Sequence, residues 1–192
     1  MKIVSIKAKN SQKIAVDILQ KGGILIFPTD TVYGIGCLLN NLSIKKLYKI
    51  KQRKFTQPTS VLLTKNLYDN FRLNGKSTIK IPTKVIKEFL LGKVTIILPT
   101  NIFKIDFPKV ITKDNKIGIR LPQYKWLEKV INLTGPLVAS SANIKGKPAP
   151  ANYRQIDKKI LTQADLVIKT TSYLKGIASK VFDPENKDYL RH

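Results

Sequence analysis

Apolar residues recur along this chain in two periods, and the switches between them outline an α/β protein. Residues 1–7, MKIVSIK, alternate as a strand does. Over 12–21, Ile14, Ala15, Ile18 and Leu19 share one face at helical spacing, with Ser11 placed to cap the start and Gly22-Gly23 to stop it. The continuous run Ile24-Leu25-Ile26-Phe27 then reads as a strand buried on both sides. Ser43 is expected to cap a helix with Ile44, Leu47 and Tyr48 inward, running toward Lys51-Gln52-Arg53. Strands follow at 61–63, 94–98 and 117–121, and a helix at 83–91 with Val85, Ile86, Phe89 and Leu90 inward. Trp126, Leu127, Val130 and Ile131 mark another helix, stopped near Gly135-Pro136, ahead of a strand at 137–139. A helix at 152–161 and strands near 166–168 and 180–182 complete the pattern, and 101–116 is aperiodic enough to read as an irregular loop. Nothing resembles a repeat or a linker, so a single domain over residues 1–192 is expected.

Composition narrows this picture. Of the 192 residues 43% are apolar, and none of the apolar runs approaches the roughly 20 residues a membrane-spanning helix requires. The first residues lack the features of a signal peptide, and one cysteine, Cys37, permits no internal disulfide, so a cytoplasmic protein without membrane association is expected. The 35 Lys and Arg against 12 Asp and Glu give a net charge of +23. That field suits RNA or phosphate-bearing ligands, or it follows from the codon bias of an AT-rich genome, since Lys, Ile and Asn crowd the chain. Only five of the cations are Arg, which makes each Arg a candidate for planar, bidentate recognition of carboxylate or phosphate.

Several chemistries fall away. The only histidine is His192, the last residue, which argues against Ser-His-Asp and Cys-His machinery and against the usual zinc ligand. No GxxxxGK[ST] or GxGxxG motif is present. Polar clusters following apolar runs remain: Thr29, Asp30, Thr31 and Tyr33 in FPTDTVYGIG; Lys51 and Arg53; Thr95 in GKVTIIL; Arg120 in IGIRLP; and Ser140, Ser141 and Asn143 after LVA. Each has a plain structural alternative. Ser and Thr after a strand make caps and turns, Thr95 suits a strand by its branching, and two cations end a helix favourably. Arg120 requires a partner anion if it faces the interior, and Asp30 beside phosphates requires a cation or a turn to cap. Converging at strand ends, these groups would suit a small polar molecule beside a phosphate chain.

In order, these clusters resemble the YrdC family, the threonylcarbamoyl-AMP synthases. FPTDTVYGIG is similar to the family's PT[DE]TVYGLG, KQR followed by PTSVLL to its KxR…PLxxL, LGKVTIIL to its PGPxTxIL, IGIRLP to its VxVRxP, and GPLVASSANIKGKPAP to its P(L/I)xxTSANxSGxPxP. The resemblance implies a twisted, open mixed α/β sheet with flanking helices and a large basic central cleft, in the short bacterial form without an extra C-terminal domain. It implies that L-threonine, bicarbonate or CO2, and ATP become threonylcarbamoyl-AMP and diphosphate. Partner proteins of the TsaB, TsaD and TsaE type would then place threonylcarbamoyl on tRNAs reading codons that begin with A. By motif, Lys51 and Arg53 would grip the ATP phosphates and carry the catalysis. Thr95, Ser141, Asn143 and Arg191 would complete the ATP site, while Thr29, Thr31, Tyr33, Arg120, Ser140 and Ser179 would hold threonine. Thr29, and not Asp30, is the expected substrate contact in the first cluster. Mg²⁺ would ride on the phosphates, with no dedicated protein ligands. The alternative reading from charge alone is a non-catalytic module that binds double-stranded or ribosomal RNA in the basic cleft, and tRNA binding is compatible with either.

Overall fold

The structure, a computed structural model, describes residues 1–73 and 79–191; His192 lies outside the described residues. Along the chain run β1 (Lys2–Ser5), α1 (Ser11–Gln20), β2 (Leu25–Pro28), β3 (Tyr33–Leu38), α2 (Asn41–Ile50), β4 (Ser60–Leu62), α3 (Lys65–Phe71), α4 (Thr83–Leu90), β5 (Val94–Pro99), β6 (Lys116–Arg120), α5 (Lys125–Thr134), β7 (Leu137–Ser141), α6 (Lys158–Gln163), β8 (Leu166–Lys169), β9 (Lys180–Asp183) and β10 (Asp188–Arg191). All ten strands join one mixed sheet in the order β1-β8-β2-β3-β7-β4-β6-β5-β9-β10. Pairs β1/β8, β2/β8, β4/β6 and β5/β9 are parallel; β2/β3, β3/β7, β4/β7, β5/β6 and β9/β10 are antiparallel.

Successive strand side chains point to opposite faces, and the two faces carry separate apolar cores. One face presents Ile26, Tyr33, Ile35, Val61, Ile96 and Ile119, covered by α2, α4 and α6. The other presents Leu25, Phe27, Leu62 and Leu137, covered by Ala15 and Leu19 of α1 and by Trp126, Leu127, Val130 and Ile131 of α5. On this second face α1 packs against β2, β3 and β8 and against α5, so the helical cover lies toward the β1 end of the sheet. Over β4, β6, β5 and β9 the same face turns to a cavity instead.

Several local expectations change. Ser11 is the first helical residue and does not cap: its hydroxyl donates to the Ile6 carbonyl (3.1 Å) and accepts from Trp126 Nε1 (3.0 Å), fastening α1 to α5. Asn40, not Ser43, caps α2, accepting the Ser43 amide at 2.9 Å, because the helix begins three residues earlier than its apolar period suggests. In α4 only Val85 and Phe89 are buried; Ile86 and Leu90 are about 40% exposed, so its apolar stripe is narrower than expected. The helix expected over 152–161 divides into a 3-10 turn at Tyr153–Gln155, held by a capping box, and α6, whose start is capped by Asp157. Residues 101–115 are irregular, with 3-10 turns at Thr100–Ile102 and Lys109–Ile111, and Lys116, expected in the loop, already belongs to β6.

Candidate active site

FPTDTVYGIG is a β-hairpin. The chain leaves β2 at Pro28, turns through 29–32 and returns as β3, with Pro28 opposite Tyr33 and Phe27 opposite Gly34. Thr29 organises the turn: its hydroxyl donates to the Val32 carbonyl (2.7 Å) and accepts the amides of Thr31 (3.1 Å) and Val32 (3.2 Å). Its oxygen also lies 3.0 Å from the Thr31 hydroxyl. Gly34 and Gly36 face Phe27: a Cβ on Gly36 would come within 2.6 Å of the Val138 carbonyl, and one on Gly34 within 3.1 Å of the Phe27 ring. The alternation sends Tyr33 to the opposite face, where it is fully buried and its hydroxyl accepts the Thr170 amide at 2.9 Å. Tyr33 is therefore a core residue and does not wall the cavity. Cys37 lies on that same face, and burial pushes its thiol up to about 12, which removes it as a nucleophile.

The cavity holds about 570 Å³, and its floor is the uncovered half of the sheet. Ser60 and Leu62 of β4, Thr95 and Ile97 of β5, and Gly118 and Arg120 of β6 face it, each two residues from the next. Gly118 leaves an opening here, since a Cβ would lie 3.1 Å from Ser60 Oγ and 3.2 Å from Thr95 Cγ2. Thr95 Oγ1 and Ser179 Oγ are 3.0 Å apart, two buried hydroxyls brought together by the β5/β9 pairing.

Arg120, at the end of β6, is only 7% exposed. Nε donates to the Gly92 carbonyl (3.1 Å), and Nη2 donates to Asp30 Oδ1 (2.8 Å) and Thr31 Oγ1 (2.9 Å). Asp30 thus has its cation. Burial lowers the Arg120 pKa, and the Asp30 carboxylate opposes that shift. Nη1 has no hydrogen-bond partner among the described residues, yet no fully buried side-chain nitrogen or oxygen there lacks one, so Nη1 keeps some exposure on a residue that lines the cavity.

The remaining expected residues divide. Arg53, Ser140, Ser141 and Arg191 line the cavity with Thr29, Thr31, Thr95, Arg120 and Ser179; Lys51, Asn143 and Tyr33 do not. Arg53 donates through Nε to the Gln57 carbonyl (3.2 Å) and through Nη2 to the Pro58 carbonyl, with its guanidinium 5.8 Å from the Tyr48 ring centre. Arg191 is held by Ser179, its Nε donating to the carbonyl at 2.8 Å, and its pKa is lowered by burial and then by Arg120. Lys51 Nζ lies behind the rim, donating to the carbonyls of Ser141 (2.7 Å) and Asn143, while Ser141 Oγ donates to Asn143 Oδ1 (2.5 Å). Lys51 therefore positions the end of β7 and the segment after it.

Burial, and then Arg53, lower the Lys51 pKa to about 8. Below that pH the desolvated ammonium opposes folding; between about 8 and the ordinary 10.5 the native lysine loses its proton first, so this cost is relieved as pH rises. Stability is therefore expected to rise with pH between about 8 and 10.5, and Lys51→Arg, always charged, should flatten that rise in a series of denaturant midpoints from pH 7 to 9.5.

Sequence reasoning missed Ser60, Gly118, Lys113, Asp114, Lys116, Asp183 and Glu185 in the lining. The period-two pattern of KIGIRLP and VTIILP, read face by face, would have found Lys116 and Gly118 beside Arg120, and Ile97 beside Thr95. Among the described residues, the charged lining groups are five cations (Arg53, Lys113, Lys116, Arg120, Arg191) and three acids (Asp114, Asp183, Glu185).

Residues 17–192 match the Sua5/YciO/YrdC family model, described as "Telomere recombination". The chain belongs to this family. It is 35% identical over 175 residues to a candidate threonylcarbamoyl-AMP synthase of Methanocaldococcus jannaschii, covering 87% of this chain and 80% of that one. It is 25% identical over 181 residues to the threonylcarbamoyl-AMP synthase of Buchnera aphidicola, covering 92% and 95%. The crystal structure of Pyrococcus abyssi Sua5 complexed with L-threonine superposes with a TM-score of 0.79 at 26% identity, over 95% of this chain and 54% of that one. The chain thus spans about half the length of the Pyrococcus relative. The mixed sheet with flanking helices expected from the motifs is the fold of this family. Among the described residues no helix is long and apolar enough to cross a membrane.

Proposed function

We propose that the protein is a threonylcarbamoyl-AMP synthase, a transferase that makes a nucleotide-linked product from ATP. The observation that carries the reading is Arg120, clamped on three sides with Nη1 left some exposure, lining a cavity that also holds Arg53, Arg191, the Thr95–Ser179 hydroxyl pair and Ser140-Ser141. A relative bound to L-threonine supports it.

In this reading the threonine carboxylate accepts from Arg120 Nη1, with Ser140 and Ser179 at hand for its other polar groups. The threonine nitrogen, as the free amine, bonds to the carbon of CO2 and gives one proton to solvent, or condenses with bicarbonate with loss of water; either route leaves a carbamate. A carbamate oxygen then bonds to the α-phosphorus as the bond to the leaving diphosphate breaks. Negative charge builds on every participant, so the work of this chain is positioning and charge stabilisation. Arg53 and Arg191 face the nucleotide, Thr95 borders the reacting phosphate, and Lys51 holds Ser141 and Asn143 in place. No group of three or more His, Cys, Asp or Glu placed to hold a metal occurs among the described residues. A Mg²⁺ carried by the triphosphate would neutralise phosphate charge. Product transfer to tRNA by TsaB, TsaD and TsaE-type proteins, and a cytoplasmic setting for the whole residue 1–192 domain, complete the proposal. The RNA-binding alternative has no support of its own beyond the +23 charge.

Pure protein given ATP, Mg²⁺, bicarbonate and threonine should release diphosphate only while threonine is present. Release at an equal rate without threonine would contradict the proposal.

A further inference from the structure

The three cavity arginines are not equivalent. Arg53 donates to the carbonyls of Gln57 and Pro58, and Arg191 to Ser179, so both meet uncharged oxygens and keep their full charge. Arg120 alone is paired with a carboxylate, Asp30, at 2.8 Å, with both side chains at most 10% exposed. The Arg120–Asp30 pair carries no net formal charge, which weakens without erasing the field that reaches Arg191, while it still offers the two N–H bonds of Nη1. From this division we propose that Asp30 determines specificity at the amino-acid end of the cavity. It fixes the Arg120 fork, and by cancelling its charge it directs polyphosphate toward Arg53 and Arg191, leaving Arg120 for a ligand with one carboxylate and one ammonium.

The geometry supports both halves. Asp30 and Thr31 share Nη2, and the Gly92 carbonyl takes Nε, so rotation of the guanidinium is blocked on three of its five N–H bonds. Asp30 is confined in turn, for a Cβ on Gly92 would lie 2.9 Å from its Oδ2. A diphosphate anion gains most from a guanidinium that carries its whole charge, whereas a zwitterion of zero net charge loses little when that charge is cancelled. Asp30 acts through Arg120 and is a positioning residue.

This inference rests on the synthase reading, and the test separates the two. Binding of labelled threonine to the full chain is measured by equilibrium dialysis, with and without inorganic diphosphate. The wild-type protein should bind threonine, with diphosphate displacing little of it. Asp30→Asn should weaken threonine binding at least about tenfold, and diphosphate should now compete for the remaining binding. Thr31→Val removes an uncharged acceptor from the same nitrogen and should weaken threonine binding without admitting diphosphate. Asp30→Glu retains the charge and should keep diphosphate out. Threonine binding without competition in Asp30→Asn overturns the role of Asp30 alone, while absence of threonine binding in the wild-type protein overturns the synthase reading with it. Should Asp30→Asn fail to fold, diphosphate competition in Asp30→Glu or Thr31→Val would overturn the charge argument instead.

Discussion

Arg120→Ala is expected to abolish threonine binding and to lower stability by about 3–5 kcal/mol, because it leaves the Asp30 carboxylate buried without its cation. The two losses have different causes and can be separated. Removing the orphaned acid as well, in Arg120→Met with Asp30→Ala, should recover much of the stability, since replacing a buried pair by apolar groups is often close to neutral. It should recover no threonine binding. Arg120→Lys keeps a charge but not the fork: one ammonium cannot satisfy Gly92, Asp30 and Thr31 and still present two parallel donors to a carboxylate. Denaturant midpoints and threonine calorimetry on the three variants check this, and intact threonine affinity in either Arg120→Ala or the double variant would disprove the assignment.

Gly92→Ala should be nearly as damaging, although Gly92 contributes no side chain. Its φ of +71° is a conformation that residues with a Cβ rarely adopt. An added Cβ would also lie 2.9 Å from the Leu121 carbonyl, 2.9 Å from Asp30 Oδ2 and 3.1 Å from the Gln123 amide. Two of these are backbone atoms and the third belongs to the carboxylate whose Oδ1 holds Arg120, so relief of the clash must displace the turn that carries the carbonyl bonded to Nε. A loss of about 2–4 kcal/mol is expected from the strain and overpacking together. Threonine affinity should fall while ATP affinity changes little, because Arg53 lies outside this contact. By contrast, Gly135→Ala, where the added Cβ meets nothing within 4 Å, isolates the cost of a positive φ and should leave threonine binding unchanged.

Much of this arrangement was legible in the sequence, and the gaps have physical causes. Long amphipathic or continuous apolar runs, such as those of α1, α5, β2 and β7, were placed because their periodicity is strong. Strand β3 was hidden because two of its six residues are glycines and the polar turn before it reads as a loop. The helix starts failed because the Ser11 and Ser43 hydroxyls bond outside their own helices, to Ile6 and Trp126 in one case and to the Gly22 carbonyl in the other. At the site, Arg120 stood out as an isolated cation in an apolar strand, and its need for an anion was foreseeable. Its partner was not, since Asp30 and Arg120 are 90 residues apart in the chain. Thr29 was expected to contact substrate; the three hydrogen bonds that its hydroxyl makes within the 29–32 turn tie it to backbone, and it borders the cavity without a free donor. Tyr33 was misplaced by a face, an error that follows from leaving 33–38 without an element when a strand there alternates.

The most direct test of the central claim is to follow carbon. With labelled bicarbonate, threonine and ATP supplied together, the account predicts an adenylate containing one bicarbonate-derived carbon and one threonine, formed in step with diphosphate and absent when any one substrate is withheld. Release of AMP and diphosphate without the labelled carbon entering a nucleotide would contradict it.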